Sequence, residues 1–347
     1  MILTHNDAVV QGLSETPYMR DVHWGCSRSA PAWATPASPI EAHPPRIDGS
    51  AAPATISPTN KRRREDGVKP APFAYARARS VAHAIELLGT DDARLLAGGQ
   101  SLIATLNMRL SEPALLVDIN GIGGLDRITV ENAHIEIGAL VRYAQAERSV
   151  EIARAAPLIA LALPHIGHPA IRNRGTVGGS IAFADPAAEL PACLVALGGE
   201  MAIVGPKGQR VIKADDFFKD LFETALTPRD MLTAIRIPAA CAETRVGFAE
   251  FARRHGDYAM VGLAACARAD GKRLANLRLA YFGVGPTPVR ARNAEPALAD
   301  GDIEGAVSAL ARDLDPPDDM QTSSAVKTHL AGVLLRRVAR QLSGAPS

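Results

Sequence analysis

The chain has 347 residues and a formal net charge of +1, and it is 47% apolar, 22% charged and 4% aromatic. That length suggests about two domains of ordinary size, and the near-neutral balance leaves no footprint for nucleic acid or an anionic membrane. Cys26, Cys193, Cys241 and Cys266 are widely spread with no CxxC pair, which excludes a disulfide scaffold or a sequence-local cysteine metal or iron–sulfur site and fits a reducing, cytoplasmic compartment.

Residues 1–67 hold eight of the 25 prolines and both tryptophans but only nine Val, Ile, Leu or Phe. They bury too little apolar surface to offset the entropy of ordering, so a disordered extension, or a start codon assigned too early, is expected. The basic run at 61–64 is followed by Glu65 and Asp66 and reads as a solvated charge run rather than a nucleic-acid patch.

From Val68 the pattern becomes regular. Ser80 is placed to cap a helix carrying Val81, Ala84, Ile85 and Leu88 on one face, ended by Gly89. A buried strand at 93–97, a helix at about 101–110 and a strand at 114–119 follow. Segments 126–130 and 134–137 form a hairpin around Glu131-Asn132. Helices are expected within 141–163 and 187–197, and strands near 200–204, 209–213 and 231–237. The longest uncharged stretch, 155–171, contains three prolines, so no transmembrane helix is predicted. After about residue 243 three strands (245–253, 259–268, 274–282) precede two or three helices, the last at about 323–342. The Asp270-Gly271 turn joins two of the strands. Strands followed by helices suggest a separate α+β domain.

Two glycine loops carry the chemistry. In the first, Leu95, Leu96, Ala97, Gly98, Gly99, Gln100, Ser101 and Leu102 run from a strand through a Gly-Gly turn into a helix. Glycines let backbone N–H groups approach a diphosphate, and Ser101 can cap the helix or donate to a phosphate. An ordinary strand-to-helix turn is an equal alternative. In the second, Thr176, Val177, Gly178, Gly179 and Ser180 could converge amides and hydroxyls on an anion. Downstream, Asp185 and Glu189 could accept from ribose or ribityl hydroxyls, although Asp185-Pro186 also suits a helix start. Arg172 and Arg174 suit a phosphate clamp or structural ion pairs. His165 and His168 lack further ligands at metal spacing. Gly121-Ile122-Gly123-Gly124 begins like a dinucleotide fingerprint, but Asp126 occupies the third glycine position, and a turn is the better reading.

The motifs AGGQSL (97–102) and IGHPAIRNRGTVGGSIAFADPAAELPA (166–192) resemble the FAD-binding medium subunit of molybdenum hydroxylases, the xanthine dehydrogenase and carbon monoxide dehydrogenase flavoprotein family. KPAPFAYARARS (69–80), LLVDIN (115–120), IGAL (137–140), DFF (216–218), RRHGDYAMV (253–261) and FGVGPTPVRARNAE (282–295) extend the resemblance over about 68–342. It implies an α+β fold. A two-part FAD-binding domain of the vanillyl-alcohol oxidase and cresol methylhydroxylase type (68–242) would precede a small C-terminal domain of three antiparallel strands plus helices (243–347).

Carried over by position, 95–102 and 176–180 would wrap the FAD diphosphate. Ile166 would contact the flavin region and Glu189 would bind FAD, with Asp185 a weaker candidate, as is Asp257 beside Tyr258. The resemblance also implies partners: a large subunit holding the molybdenum cofactor and a small subunit with [2Fe–2S] clusters, in a dimer of heterotrimers. Electrons would reach FAD and pass to NAD⁺ or another acceptor. No nucleic acid, membrane insertion or bound metal is expected, and the cysteines are too few and scattered for an extra [4Fe–4S] cluster. Two departures stand out: Ala104 replaces a common proline, and Val326-Lys327 replaces the usual Tyr-Arg, which puts C-terminal packing in question. A stand-alone FAD oxidoreductase and a non-catalytic nucleotide-binding protein remain the alternatives. Gly178→Asp is expected to abolish FAD binding by placing a carboxylate against the diphosphate.

Overall fold

The computed structural model describes residues 69–344; the extension and its basic run lie outside the described residues. The first layer is parallel. Strand β1 (Ala74–Arg77), helix α1 (Val81–Leu87), strand β2 (Ala93–Leu96), helix α2 (Leu102–Asn107) and strand β3 (Leu115–Asp118) give a sheet of order β1-β3-β2. The central strand is the apolar run Leu115, Leu116, Val117, all buried, as a strand paired on both sides requires. Ser80 caps α1 by accepting from the His83 N–H at 3.1 Å. Strand β1 escapes the sequence pattern because it is a mostly exposed edge strand behind two prolines.

The second layer begins with the hairpin β4 (Ile128–Glu131) and β5 (His134–Gly138). Its two-residue loop is Asn132-Ala133, one residue later than expected, with φ of 49° and 62°, the left-handed pair that matches strand twist. Helices α3 (Tyr143–Glu147), α4 (Val150–Ala155), α5 (Pro157–Ala162), α6 (Pro169–Arg172), α7 (Val177–Phe183) and α8 (Glu189–Leu197) follow. Next come β6 (Glu200–Gly205), β7 (Gly208–Lys213), α9 (Ala214–Phe217), a small hairpin of β8 (Phe218–Asp220) and β9 (Glu223–Thr224), and β10 (Met231–Pro238). The antiparallel order is β4-β5-β10-β6-β7. The β8–β9 hairpin is too short to leave a period in the sequence.

The third layer holds β11 (Thr244–Ala252), β12 (Ala259–Asp270), β13 (Arg273–Phe282) and β14 (Val289–Arg290), then α10 (Glu295–Ala299), α11 (Ile303–Ala309) and α12 (Ser324–Leu342). The three expected strands are thus joined by a fourth of two residues, set between Pro288 and the α10 approach. Alternation splits this sheet between two cores. Val261, Leu263, Leu279 and Tyr281 face Leu334, Leu335 and Val338 of α12. Phe248, Ala264, Ala280 and Phe282 face the core built on α5, α7, α8 and the inner side of the five-stranded sheet. Helix α8 lies between the sheets and is buried from Glu189 through Ala196, which explains its apolar surface on every side. Among the described residues no helix is long and apolar enough to cross a membrane.

Lys327 resolves the question raised by its departure from the resemblance. It is 3% exposed, and its Nζ donates to the Gly283 carbonyl at 3.0 Å and pairs with Asp319 Oδ2 at 2.7 Å. A buried ammonium held by two oxygens ties α12 to the end of β13 and to the turn before the helix. Lys327→Met removes both bonds and should cost about 2 kcal/mol, read as a lower midpoint in chemical denaturation with unchanged slope.

Candidate functional site

Both glycine loops line one cleft of ≈ 1110 Å³, just above the usual size for a small-molecule or cofactor site. The cleft is walled by Leu95, Ala97, Gly98, Gly99, Gln100, Ser101 and Leu102 from the first loop and Thr176, Gly178, Gly179 and Ser180 from the second, together with Ile166, Asp185 and Glu189. The two remaining sequence candidates stand behind the wall. Leu96 directs its carbonyl to Ile119 and Asn120, and Val177 is a core residue, 1% exposed.

The loops differ in what they offer. Gly98, Gly99, Gln100 and Ser101 follow β2, and among the described residues their backbone N–H groups have no hydrogen-bond partner. Gly99 adopts φ +73°, a turn that L side chains resist. Ser101 adopts a helical conformation and makes no side-chain cap, so its hydroxyl is not consumed at the helix start as expected. In the second loop the amides are committed. Val177 N donates to Val141 O at 2.9 Å, Gly178 N to Ala139 O at 2.9 Å, and Gly179 N to Thr176 Oγ1 at 3.1 Å. Unbonded amides are therefore found in the first loop alone; the second loop lines the cleft with Thr176 and Ser180 instead.

Side chains that the motifs did not single out hold the loops together. Asn120 Nδ2 donates to the Ala97 carbonyl at 2.9 Å and to Asp118 Oδ1 at 2.7 Å. Arg142 donates to Asn120 Oδ1 and to the Arg174 carbonyl. Tyr75 donates to Asp118 Oδ2. Burial alone would raise the Asp118 carboxyl, but the hydrogen bonds from Tyr75 and Asn120 outweigh it and hold the group below its ordinary range. Where the loops meet there is no room for a side chain: a Cβ on Gly98 would strike the Arg174 carbonyl and stand 2.9 Å from Gly175 Cα.

Several sequence expectations change here. Arg172 is a structural residue, pairing with Glu147 at 3.1 Å and donating to the Gly167 carbonyl at 2.8 Å, and neither it nor Arg174 lines the cleft. A Cβ on Gly178 would lie 2.5 Å from Ala139 Cβ, so Gly178→Asp fails first by packing, not by repelling a diphosphate. Asp185 does not start the helix as expected: it closes a turn ahead of it, accepting from Ala187 N at 2.9 Å, while α8 begins at Glu189 without a side-chain cap; it still lines the cleft. The turn at 121–124 forms no part of the wall. His168 lines the cleft, and His165 bonds Glu250 instead.

Folding also delivers Asp257 and Tyr258 to the cleft, with Tyr143, Arg253 and Met320. Tyr143 is nearly buried, and burial pushes its phenol well up. Burial likewise raises Asp185, against the Ala187 bond. The Glu189 carboxyl is pushed to about 8, mainly by burial, with Glu250 and Asp185 adding to the rise. At neutral pH Glu189 is therefore largely a carboxylic acid, able to donate as well as accept. At another edge, Asp230 takes both guanidinium nitrogens of Arg210 at 2.7 Å and the Thr227 N–H at 2.6 Å. These bonds hold its carboxyl at about 2.

The chain matches two family models. One is the FAD binding domain in molybdopterin dehydrogenase, over residues 71–240. The other is the CO dehydrogenase flavoprotein C-terminal domain, over 247–342. It is 38% identical to the 6-hydroxypseudooxynicotine dehydrogenase complex subunit alpha of Paenarthrobacter nicotinovorans, over 78% of this chain and 94% of that one. It is 35% identical to the nicotine 6-hydroxylase medium subunit of the same organism, over 76% and 94%. A solved carbon monoxide dehydrogenase from Hydrogenophaga pseudoflava superposes with a TM-score of 0.77 at 34% identity, covering 79% of this chain and 98% of that one. Fold and comparisons together define a flavoprotein component of an oxidoreductase. The chain belongs to the family of FAD-binding medium subunits of molybdenum hydroxylases.

Two expectations follow for the purified chain. Asn120→Ala frees the two loops from each other and should lower the FAD-to-protein absorbance ratio several-fold while leaving the circular dichroism spectrum intact. Asp230→Ala should cost about 2 kcal/mol. Because the Asp230 carboxyl is held at about 2 when folded against an ordinary 3.8, its contribution is complete above the unfolded value and disappears as pH falls through the folded one. Wild type and Asp230→Ala should therefore converge in stability when unfolding is followed from pH 6 down towards pH 2.

Proposed function

We propose that this chain is the electron-transferring middle component of a three-subunit hydroxylase. A large subunit with the molybdenum cofactor would hydroxylate the substrate, and a small subunit with [2Fe–2S] clusters would pass the electrons to FAD in this chain. NAD⁺ or another acceptor would then remove them. Two such heterotrimers would pair, in the cytoplasm. We place the FAD-binding domain at 68–242 and the C-terminal domain at 243–347.

One observation carries the reading: a single large cleft whose wall joins a row of unbonded backbone N–H groups to a hydroxyl-bearing second loop. A diphosphate needs several converging donors without intervening Cβ atoms, and residues 98–101 offer them. The residues of this chain fit FAD as follows. Leu95, Leu96, Ala97, Gly98, Gly99, Gln100, Ser101 and Leu102 form the diphosphate cradle with Thr176, Val177, Gly178, Gly179 and Ser180. Leu96 and Val177 act from behind, through backbone position and packing. Ile166, 8% exposed, offers an apolar wall to the flavin ring, while Asp185 and Glu189 face hydroxyls. Bound FAD would supply the capacity to accept two electrons and release them to a second partner. The protein's own work is to bind, to orient and to set the polarity around the ring, so no side chain is assigned as nucleophile.

The test is co-purification. The chain expressed with its neighbouring subunits should be yellow and arrive with an iron–sulfur chain and a molybdenum chain, one of each per flavin. Colourless protein that cannot be loaded with FAD and brings no partner would overturn the reading.

A further inference from the structure

Phe222 is an aromatic residue in a backbone conformation that aromatic residues avoid. It is the second residue of the two-residue loop joining β8 to β9, and its φ is 56°. A turn with that left-handed position selects glycine or asparagine, and a bulky side chain there is strained. Seven non-glycine residues have positive φ among the described residues, and Phe222 alone of them is aromatic. The hairpin around it holds the conformation in place. The Leu221 N–H donates to Asp220 Oδ1 at 2.7 Å, the Ala225 N–H to the Phe217 carbonyl at 2.8 Å, and the Leu226 N–H to Thr224 Oγ1 at 3.2 Å.

Burial does not offset this strain, because Phe222 is 51% exposed. Its ring meets that of Phe183, 5.1 Å away between centroids and tilted by 57°. Phe183 is the last residue of α7, the helix capped by Thr176 of the second glycine loop, so the ring stands about 10 Å along the helix from that loop. Both phenylalanines line the cleft. Leu221, the other residue of the turn, is as exposed as Phe222 yet forms no part of the wall. The turn thus gives its aromatic side chain, and not its aliphatic one, to the cleft. The two rings are in contact, so a planar group cannot lie between them and can only lie against the surface that the pair presents to the cleft.

We propose that Phe222, backed by Phe183, is a stacking platform for a planar heteroaromatic ring of the ligand held in the cleft. The inference rests on the FAD reading, which gives the ligand two such rings, an isoalloxazine and an adenine, on either side of its diphosphate. Stacking against the pair takes the exposed part of Phe222 and one face of the ligand ring out of water together, with the offset or edge geometry that ring quadrupoles favour. The left-handed φ is then a positioning device, since strained residues of this kind gather at ligand clamps. A subunit contact would also cover a half-exposed phenylalanine. The place of Phe222 in the cleft wall, beside a second ring that lines the same wall, favours the ligand.

The test is a fluorescence titration of FAD into the full-length chain after its flavin has been removed, with Phe222→Gly and Phe222→Tyr beside wild type. Glycine meets a φ of 56° freely, so Phe222→Gly removes the ring and the strain together. Its ligand-free melting temperature should equal or exceed that of wild type, while its FAD dissociation constant rises about tenfold. Phe222→Tyr keeps the ring and should bind FAD as wild type does. Titrations with FMN and with ADP identify the stacked ring. Weakening of FMN alone assigns the isoalloxazine, weakening of ADP alone assigns the adenine, and either supports the platform. Wild-type FAD affinity in Phe222→Gly overturns it, and loss of a co-purifying subunit in that case would place the ring in a subunit contact. A fall in melting temperature together with affinity also overturns it, because the ring would then be a prop for the hairpin. Should wild type bind no FAD, the FAD reading fails separately, and the platform stands only if Phe222→Gly weakens FMN or ADP.

Discussion

The bridge from Asp118 through Asn120 and Arg142 to the Arg174 carbonyl is the constraint on which the site depends. The first glycine loop belongs to the parallel layer and the second to the helices that cover the antiparallel sheet. Two elements from different layers stay in register only if something fixes their separation. Gly98 allows backbone to touch backbone, and Asn120 and Arg142 bond both loops at once. Removing either side chain leaves polar groups unpaired in a partly buried place, which costs more than the bonds themselves contribute. Arg142 is held there although burial makes its charge less favourable, and the Arg174 carbonyl, the Asn120 amide oxygen and the Asp118 charge are what stabilise it.

Those bonds also explain why the two loops behave differently. The second loop is stapled to the antiparallel layer through Val141 and Ala139, and its amides are consumed in doing so. It is therefore a rigid wall whose free chemistry is hydroxyl. The first loop hangs from the end of β2, and its amides remain unbonded because Gly99 turns the chain back before a helical ladder begins. A wall fixed by the chain's own bonds beside unbonded donors lowers the ordering cost of holding an anion there.

Legibility in the sequence followed the range of the interactions. Regular elements were readable because their periods are local: the buried run of β3, the capped face of α1 and the Asp270-Gly271 turn need only neighbours. The short pieces were not, since β8, β9 and β14 have two or three residues each. The glycine loops were readable as loops, but which amides stay free depends on Val141 and Ala139, more than 30 residues upstream of the second loop's end. The Asn120–Arg142 bond and the arrival of Tyr258 at the cleft are side-chain facts of tertiary folding, and no spacing rule encodes them. Lys327 shows the converse. A substitution that looked like a threat to packing is accommodated because Asp319 and the Gly283 carbonyl lie within its reach.

The cleft is electrically uneven, and this bears on how a dinucleotide would lie in it. Bare N–H groups gather at the first loop, while Asp185 and Glu189 line another part of the wall, both raised by burial and Glu189 further by Glu250 and Asp185. A diphosphate placed against these carboxyls would make their ionisation costlier still; placed against residues 98–101 it would meet unbonded N–H donors. Hydrogen bonding thus favours one direction for an anionic ligand, with its charge against the first loop. The third layer also reaches the cleft, through Arg253, Asp257 and Tyr258 in the segment between β11 and β12. The C-terminal sheet is therefore not merely a platform behind the cofactor layer.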